Sequence, residues 1–377
     1  MRIYHIGTRG IPTTQGGIEK HIEEIAPRLA DRAEIMVYAR SYYVPPDAEY
    51  KGVRIRRLPT LRTKHLDTIL YALLATLEVL FRPNGIVHFH ALGPSIFAWL
   101  PRLCGHRTVV TVHGLDWQRA KWGSFARRYL MLCEWFSARN PNATIVVSQV
   151  LKGYYAKKFG KDVDAIPNGI EKPVSREPDE IRERWGLEGN DYIFFIARLT
   201  PEKGAHHLIK AFRELDGDKK LVIAGEGLNE ERYVESLHEL AAGDERIIFT
   251  GYVTGSTLDE LFGNALIYCQ PSEIEGLSIA LLEAMSYGCC VLSSDIPENL
   301  ELVEGVGHSF ADKNVDDLRL RLSELLADPD EIDAAGERAR THALKNYSWD
   351  RVAEMTWSVY QRVSKTGEAA AEDNKHK

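Results

Sequence analysis

The sequence predicts an α/β protein built from two doubly wound parallel-sheet domains that face each other across a central cleft. Three observations carry this. Short β-branched or aromatic runs alternate with segments of helical apolar spacing, a rhythm that gives a parallel sheet with helices on both faces. The rhythm restarts after a proline-rich segment near residue 170. Glycines and charged or hydrogen-bonding residues gather directly behind several of the strand-like runs, where such sheets bind their ligands.

In the first half the strand-like runs are "RIYHIG", "EIMVYA", "GIVHFH", "RTVVTVHG" and "ATIVVS". Between them "GGIEKHIEEIAPRLADR", "SIFAWLPRLC" and "SFARRYLMLCEWFSAR" have the apolar spacing of helices. "VDAIPNGIEKPVSREPDE" reads as a linker. The runs "DYIFFIARL", "KLVIAGE", "RIIFTG", "ALIYCQPS" and "CCVLSSD" then form the second set of strands. This assigns 1–170 to an N-terminal domain and 171–347 to a C-terminal one. Helix extends through 314–366, its last part (about 348–366) packing back on the first domain, and 367–377 is a disordered tail.

The chain has 377 residues, 44% hydrophobic and 27% charged, the proportions of a globular protein that supports two cores. Five cysteines without a C-x-x-C argue for reduced thiols and a cytoplasmic setting, and no zinc-type spacing is present. The N-terminus passes straight into a strand with no signal-peptide core. "LDTILYALLATLEVLF" is too short, and with Asp67 and Glu78 too charged, to span a bilayer. Residues 1–170 hold 24 Lys and Arg against 13 Asp and Glu, although the whole chain is −7. A basic first half suits an anionic partner, either a phosphorylated acceptor or an anionic membrane face; two solvated surfaces of opposite sign explain it equally.

The candidate chemistry sits in four places. "PSEIEGLSIALLEAMSYG" encloses Glu275 and Glu283 in an otherwise apolar run. A carboxylate inside a buried helix is costly unless it has a partner, and the helix N-terminus ahead of it attracts an anion. A ligand meeting both is hydroxyl-rich at its ends and anionic in the middle, as a nucleotide-sugar is; a salt-bridged glutamate would also satisfy the pattern. "ARLTPEKG" places Arg198 and Lys203 across a turn, a fork and a point charge suited to a diphosphate, or simply two surface cations. "IAGEG" brings Gly225 to a strand end. In the first half Gly16 and Gly17 open a helix with bare amides, or merely form a turn. His113 and Gly114 leave a strand end ahead of Asp116, Trp117, Gln118, Arg119, Lys121 and Trp122, a mixture of rings and polar tips that suits sugar binding. A capping or core histidine is the other reading of His113.

Taken together, the G-G-I-E loop, V-H-G, P-N-G at 167–169, "ARLTPEKG", "IAGEG" and the E-x(7)-E element of Glu275 and Glu283 resemble glycosyltransferase family 4, from Ile3 to about Tyr360. "GTRGIPTTQGGIEK" with "HGLDWQRAKWG" further resembles a branch containing bacterial rhamnosyltransferases and other polysaccharide-assembly glycosyltransferases. One departure is Ser278, in Glu275-Gly276-Leu277-Ser278, where the family usually carries E-G-F-G.

The resemblance implies the GT-B fold, two Rossmann-like domains of which the first takes acceptor and the second the nucleotide-sugar donor. It implies a retaining transferase moving a hexose or deoxyhexose to a saccharide or lipid-linked acceptor, with no cofactor or metal and no nucleic-acid partner. Glu275 would then bind sugar hydroxyls and Glu283 the ribose diol. Arg198, Lys203 and the Gly16–Gly17 amides would hold the diphosphate, with Gly225, Gly276, Leu277 and Ser278 lining the donor. His113 would meet the sugar from the first domain, and His90, Asp116 and Trp117 would lie on the acceptor side. A nucleotide-sugar 2-epimerase or another enzyme of the same fold is the alternative, and a non-catalytic binding protein a third reading. Arg54, Arg56, Arg57, Arg62, Lys64 and His65, ahead of the apolar run, suggest peripheral binding to the inner membrane face; strand-edge arginines beside an ordinary buried helix are the alternative.

Overall fold

A computed structural model describes residues 1–14, 16–45, 49–60, 66–119, 122–227 and 230–373. The chain divides into two compact units, one comprising Met1–Gly169 with the chain from Trp349, the other Ile170–Ser348.

Unit 1 runs β1 (Arg2–Ile6), α1 (Gly17–Leu29), β2 (Glu34–Arg40), β3 (Glu49–Tyr50), β4 (Val53–Leu58), α2 (Leu66–Val79), β5 (Ile86–His90), α3 (Leu92–Ser95), α4 (Leu100–Leu103), β6 (Arg107–Val112), α5 (Ser124–Arg139), β7 (Ala143–Val146), α6 (Gln149–Phe159) and β8 (Asp164–Ala165). Its sheet order is β3-β4-β2-β1-β5-β6-β7-β8, parallel except for the β3–β4 pair. β1 lies between β2 and β5, so the strand order reverses there and a crevice opens at the carboxyl ends of β1 and β5.

Unit 2 runs α7 (Glu180–Trp185), β9 (Tyr192–Ile196), α8 (Ala205–Arg213), β10 (Lys220–Ala224), α9 (Glu231–Ala241), β11 (Ile247–Gly251), α10 (Ser256–Gly263), β12 (Ile267–Gln270), α11 (Ile279–Tyr287), β13 (Cys290–Ser294), α12 (Pro297–Val303), β14 (His308–Phe310), α13 (Val315–Leu326) and α14 (Pro329–Asn346). The order β11-β10-β9-β12-β13-β14 is parallel throughout and reverses between β9 and β12. Its inner strands are buried on both faces: Ile193, Leu221, Ile267 and Leu292 on one, and Phe194, Val222, Tyr268 and Val291 on the other, have no exposure. That explains why they read as unbroken apolar runs.

The chain then enters α15 (Trp349–Asp373), which packs on α1. Arg28 Nε meets Asp350 Oδ1 at 2.9 Å, Arg32 pairs with Glu354, and Trp349 and Tyr360 are buried. The helix continues beyond 366, where a frayed tail was expected, because Glu368, Ala369, Ala370, Ala371 and Glu372 are strong helix formers.

Four strands escape the sequence pattern. β4 alternates arginine with apolar residues, β14 has three residues, and β3 and β8 have two each. "SIFAWLPRLC" is not one helix but turns flanked by α3 and α4, since Pro101 cannot donate to a continuous helix.

Candidate active site

In unit 2 the predicted residues stand where the strand order reverses. Arg198 follows β9 and is half-buried. Lys203 ends a short 3-10 turn, and its Nζ lies 2.5 Å from Glu275 Oε1. Gln270, the last residue of β12, gives Nε2 to the same oxygen at 2.6 Å and to Ser272 Oγ at 2.7 Å. Tyr268 OH donates to Gln270 Oε1 at 2.6 Å, and burial, with the negative Glu275 adding to it, holds that phenol well above its ordinary pKa and therefore neutral.

Gly204 makes this junction possible. Its φ is +73°, and a Cβ there would sit 1.9 Å from Pro271 O, so only glycine lets the Lys203 turn close on the Pro271–Glu275 loop. Gly225 does the same one strand over, its missing Cβ leaving room for Ala197 O.

Glu275 lies in a loop three residues ahead of Ser278, which caps α11 by accepting from Leu281 N at 3.2 Å. The departure at Ser278 thus has a local function. Gly276 and Leu277 are buried in that loop, and Leu281, Leu282, Ala284 and Met285 bury most of α11. Glu283 is half-buried on the same helix, one and a quarter turns in, so the two carboxylates belong to different parts of the site.

The pattern did not single out Gln270, Gly204 or Glu298. Glu298, at the start of α12, has its pKa raised by burial and further by Glu275. A lone polar residue closing the apolar strand "IYCQ" was the available signal for Gln270.

In unit 1, His113 follows β6 and keeps some exposure. Behind it stands a chain of imidazoles: His113 Nε2 faces His90 Nδ1 at 3.2 Å, and His90 Nε2 faces His5 Nδ1 at 3.0 Å. His88 spans Tyr360 OH at 2.6 Å and Thr111 Oγ1 at 2.7 Å, while His21 Nδ1 meets Asn168 Oδ1 at 3.0 Å. Burial pushes all five down, His5 to about 3, His21 to about 4 and the others well below 6.5, so the group is neutral at pH 7.

His90 therefore cannot be an acceptor contact. It has no exposure, and its two ring nitrogens face His113 and His5. Asp116 is paired with Arg119 at 3.3 Å, and Trp117 lies beneath Arg127 and Lys158, whose cations stand 5.4 and 5.5 Å from its ring. Both are half-buried in a 3-10 turn; Lys121 falls outside the described residues.

At the entrance to α1, Gly16 has φ +111° and Gly17 is the first helical residue. The nearby anion is internal: Glu19 Oε1 accepts from Arg9 N at 3.0 Å and Arg9 Nε at 3.1 Å, and its other oxygen would clash with a Cβ on Gly16. Arg9 and Glu19 thus add a charge pair beside Gly16.

Residues 15–172 match the family model described as Glycosyltransferase Family 4, and 177–342 that described as Glycosyl transferases group 1. The chain is 27% identical to a GDP-mannose-dependent alpha-(1-6)-phosphatidylinositol monomannoside mannosyltransferase of Mycolicibacterium smegmatis, over 91% of this chain and 94% of that one. It is 26% identical to an uncharacterized glycosyltransferase of Methanocaldococcus jannaschii, over 96% and 98%. Among solved structures, Anabaena Alr3699/HepE in complex with UDP and glucose superimposes with a TM-score of 0.80 at 17% identity, covering 96% of this chain and 100% of that one. The sucrose-phosphate synthase of Thermosynechococcus elongatus gives 0.82 at 20% identity, over 97% and 99%.

Proposed function

The chain belongs to the family-4 glycosyltransferases, which use nucleotide sugars, and from that premise we propose that it moves a hexose or deoxyhexose, such as rhamnose, to a saccharide or lipid-linked acceptor. The product would enter cell-surface polysaccharide or glycoconjugate. The observation that carries the reading is the junction of Lys203, Glu275 and Gln270 beside Arg198, at the strand ends where a doubly wound sheet binds its ligand.

In this reading Arg198 and Lys203 neutralise the leaving diphosphate, the term that lowers the barrier most. Glu275 accepts from hydroxyls of the transferred sugar, fixed by Gln270 from behind. Glu283 accepts from the ribose diol, and His113 hydrogen-bonds a sugar hydroxyl. The bond from the anomeric carbon to the phosphate oxygen breaks, the acceptor oxygen bonds to that carbon on the same face, and its proton passes to the departing phosphate. Configuration is retained. Two protein cations make a metal unnecessary for the step. The mannosyltransferase relative, whose name includes phosphatidylinositol monomannoside, supports a lipid-linked acceptor here.

Unit 1 offers a surface for such an acceptor. α2 packs on α3 and α4, and α3 on α5. From this layer Leu74, Leu77, Phe81, Leu103, Phe125 and Trp135 point outward, Phe81 90% and Phe125 87% exposed. Arg127 and Arg128 are exposed among them. An apolar face carrying cations fits an anionic lipid surface better than the arginines of β4 do. Arg54 is held by Glu34, Arg56 by Glu78 and Arg57 by Ser41 O, while Arg62, Lys64 and His65 lie outside the described residues. Among the described residues no helix is long and apolar enough to cross a membrane.

The test is a panel of nucleoside-diphosphate sugars with and without lipid-linked saccharides, in EDTA, followed by nucleotide release. Acceptor-dependent release from one donor supports the reading. Conversion of free donor to its 2-epimer without acceptor, or transfer that needs added manganese, overturns it.

A further inference from the structure

His21, His90 and His113 come from three separate segments, yet each brings one ring nitrogen within 4.8 Å of the other two. Two nitrogens bound to one tetrahedral zinc ion, with bonds of about 2.0–2.1 Å, lie roughly 3.3 Å apart. His90 Nδ1 and His113 Nε2 stand 3.2 Å apart, which matches that spacing. His21 Nδ1 is taken by Asn168 Oδ1, leaving Nε2 as its ligand atom, and its ring meets His113 edge-on at 4.9 Å between centroids. His90 Nε2 is held by His5 at 3.0 Å. Two of the three rings are therefore oriented from behind by a hydrogen bond on the nitrogen opposite the ligand atom, the arrangement that fixes the tautomer of metal-binding histidines.

We propose that His21 Nε2, His90 Nδ1 and His113 Nε2 form a site for one zinc-class divalent ion, with water in the fourth position. Imidazole nitrogens suit zinc, and three of them with an open position are an established zinc set. The ion takes no part in bond making. It locks His113 as the Nδ1–H tautomer and ties α1 to the ends of β5 and β6.

The other histidine groups are less suited. In the set His5, His88 and His90, both nitrogens of His88 are held by Tyr360 and Thr111. In unit 2, His206, His207 and Glu273 converge, but Glu273 already carries Lys313 Nζ at 3.0 Å and His206 is bonded to Tyr233.

The test needs neither donor nor acceptor. The full-length protein, stripped with chelator and dialysed, is titrated with Co²⁺ and followed by visible absorption, then back-titrated with Zn²⁺. One equivalent should bind and be displaced by zinc. His21→Gln and His113→Gln should each weaken binding at least about tenfold, and Asn168→Ala by about 10- to 100-fold, while His207→Gln leaves it unchanged. Circular dichroism and melting confirm that each variant is folded. Uptake below one equivalent, uptake that survives both His21→Gln and His113→Gln in folded protein, or uptake abolished by His207→Gln would overturn the assignment.

Discussion

Lys203 Nζ and Gln270 Nε2 converge on the same oxygen of Glu275, at 2.5 and 2.6 Å. The side chains of Lys203 and Glu275 are 19% and 8% exposed, so the pair is largely shielded from solvent. The lysine expected at the diphosphate and the glutamate expected at the sugar are thus neighbours. A donor spanning both would exchange this contact for its own hydroxyls and phosphates.

Glu275→Ala and Arg198→Ala should each lower kcat by about 10²- to 10³-fold in protein that circular dichroism shows to be folded, because both groups serve the ligand. Gln270→Leu should cost less, and its loss should overlap with that of Glu275→Ala instead of adding to it. Steady-state kinetics with a double-mutant cycle measures this. Near-wild-type transfer by folded Glu275→Ala would remove the assigned role.

Glu283→Ala should act differently. The ribose stays bound through the transition state, so the change should raise the donor KM with little effect on kcat. Initial rates over a donor series separate the two constants; an effect confined to kcat contradicts a ribose contact.

Acid should destabilise unit 1 before carboxylates titrate. The buried histidines are depressed in the folded state, so between pH 6.5 and about 4 the unfolded chain binds protons that the folded chain does not. Stability is then full above pH 6.5 and falls as pH drops, by up to about 1.4 kcal/mol per pH unit for each histidine. Denaturant unfolding at pH 7, 6 and 5 measures the slope, and His5→Gln should reduce it by one proton. A stability flat across this range would mean that the histidines are solvated and protonated.

Vesicle sedimentation addresses the exposed layer of α2, α4 and α5. Phe81→Ser with Phe125→Ser should abolish pelleting with anionic vesicles at low salt, whereas Arg54→Gln should change little. Pelleting insensitive to the two phenylalanines would exclude this face.

Much of this molecule was legible because its signals are local. Parallel strands buried on both faces announce themselves as apolar runs, and an E-x(7)-E element around an apolar helix keeps its spacing through the fold. β4 alternates apolar residues with arginines as a half-buried strand does, but the arginines read as a basic cluster ahead of the apolar run, and β3, β8 and β14 are too short for any period to register. The histidine group illustrates the other limit. His5, His21, His88, His90 and His113 lie on three separate elements and one loop, so a search for metal spacing along the chain finds nothing. Gln270 was missed for the same reason, since its value comes from Lys203 and Ser272 meeting around it. At α1 the glycines were visible, but the Arg9–Glu19 pair that occupies their surroundings was not.

α15 belongs to unit 1 although it follows all of unit 2 along the chain. Tyr360 closes on His88 across 272 positions, and Trp349 is buried in the same unit. On the ribosome the contiguous second unit can finish folding first, while the first, begun before it, waits for α15. A chain cut before Trp349 would therefore lose the half that emerges first and keep the half that emerges second.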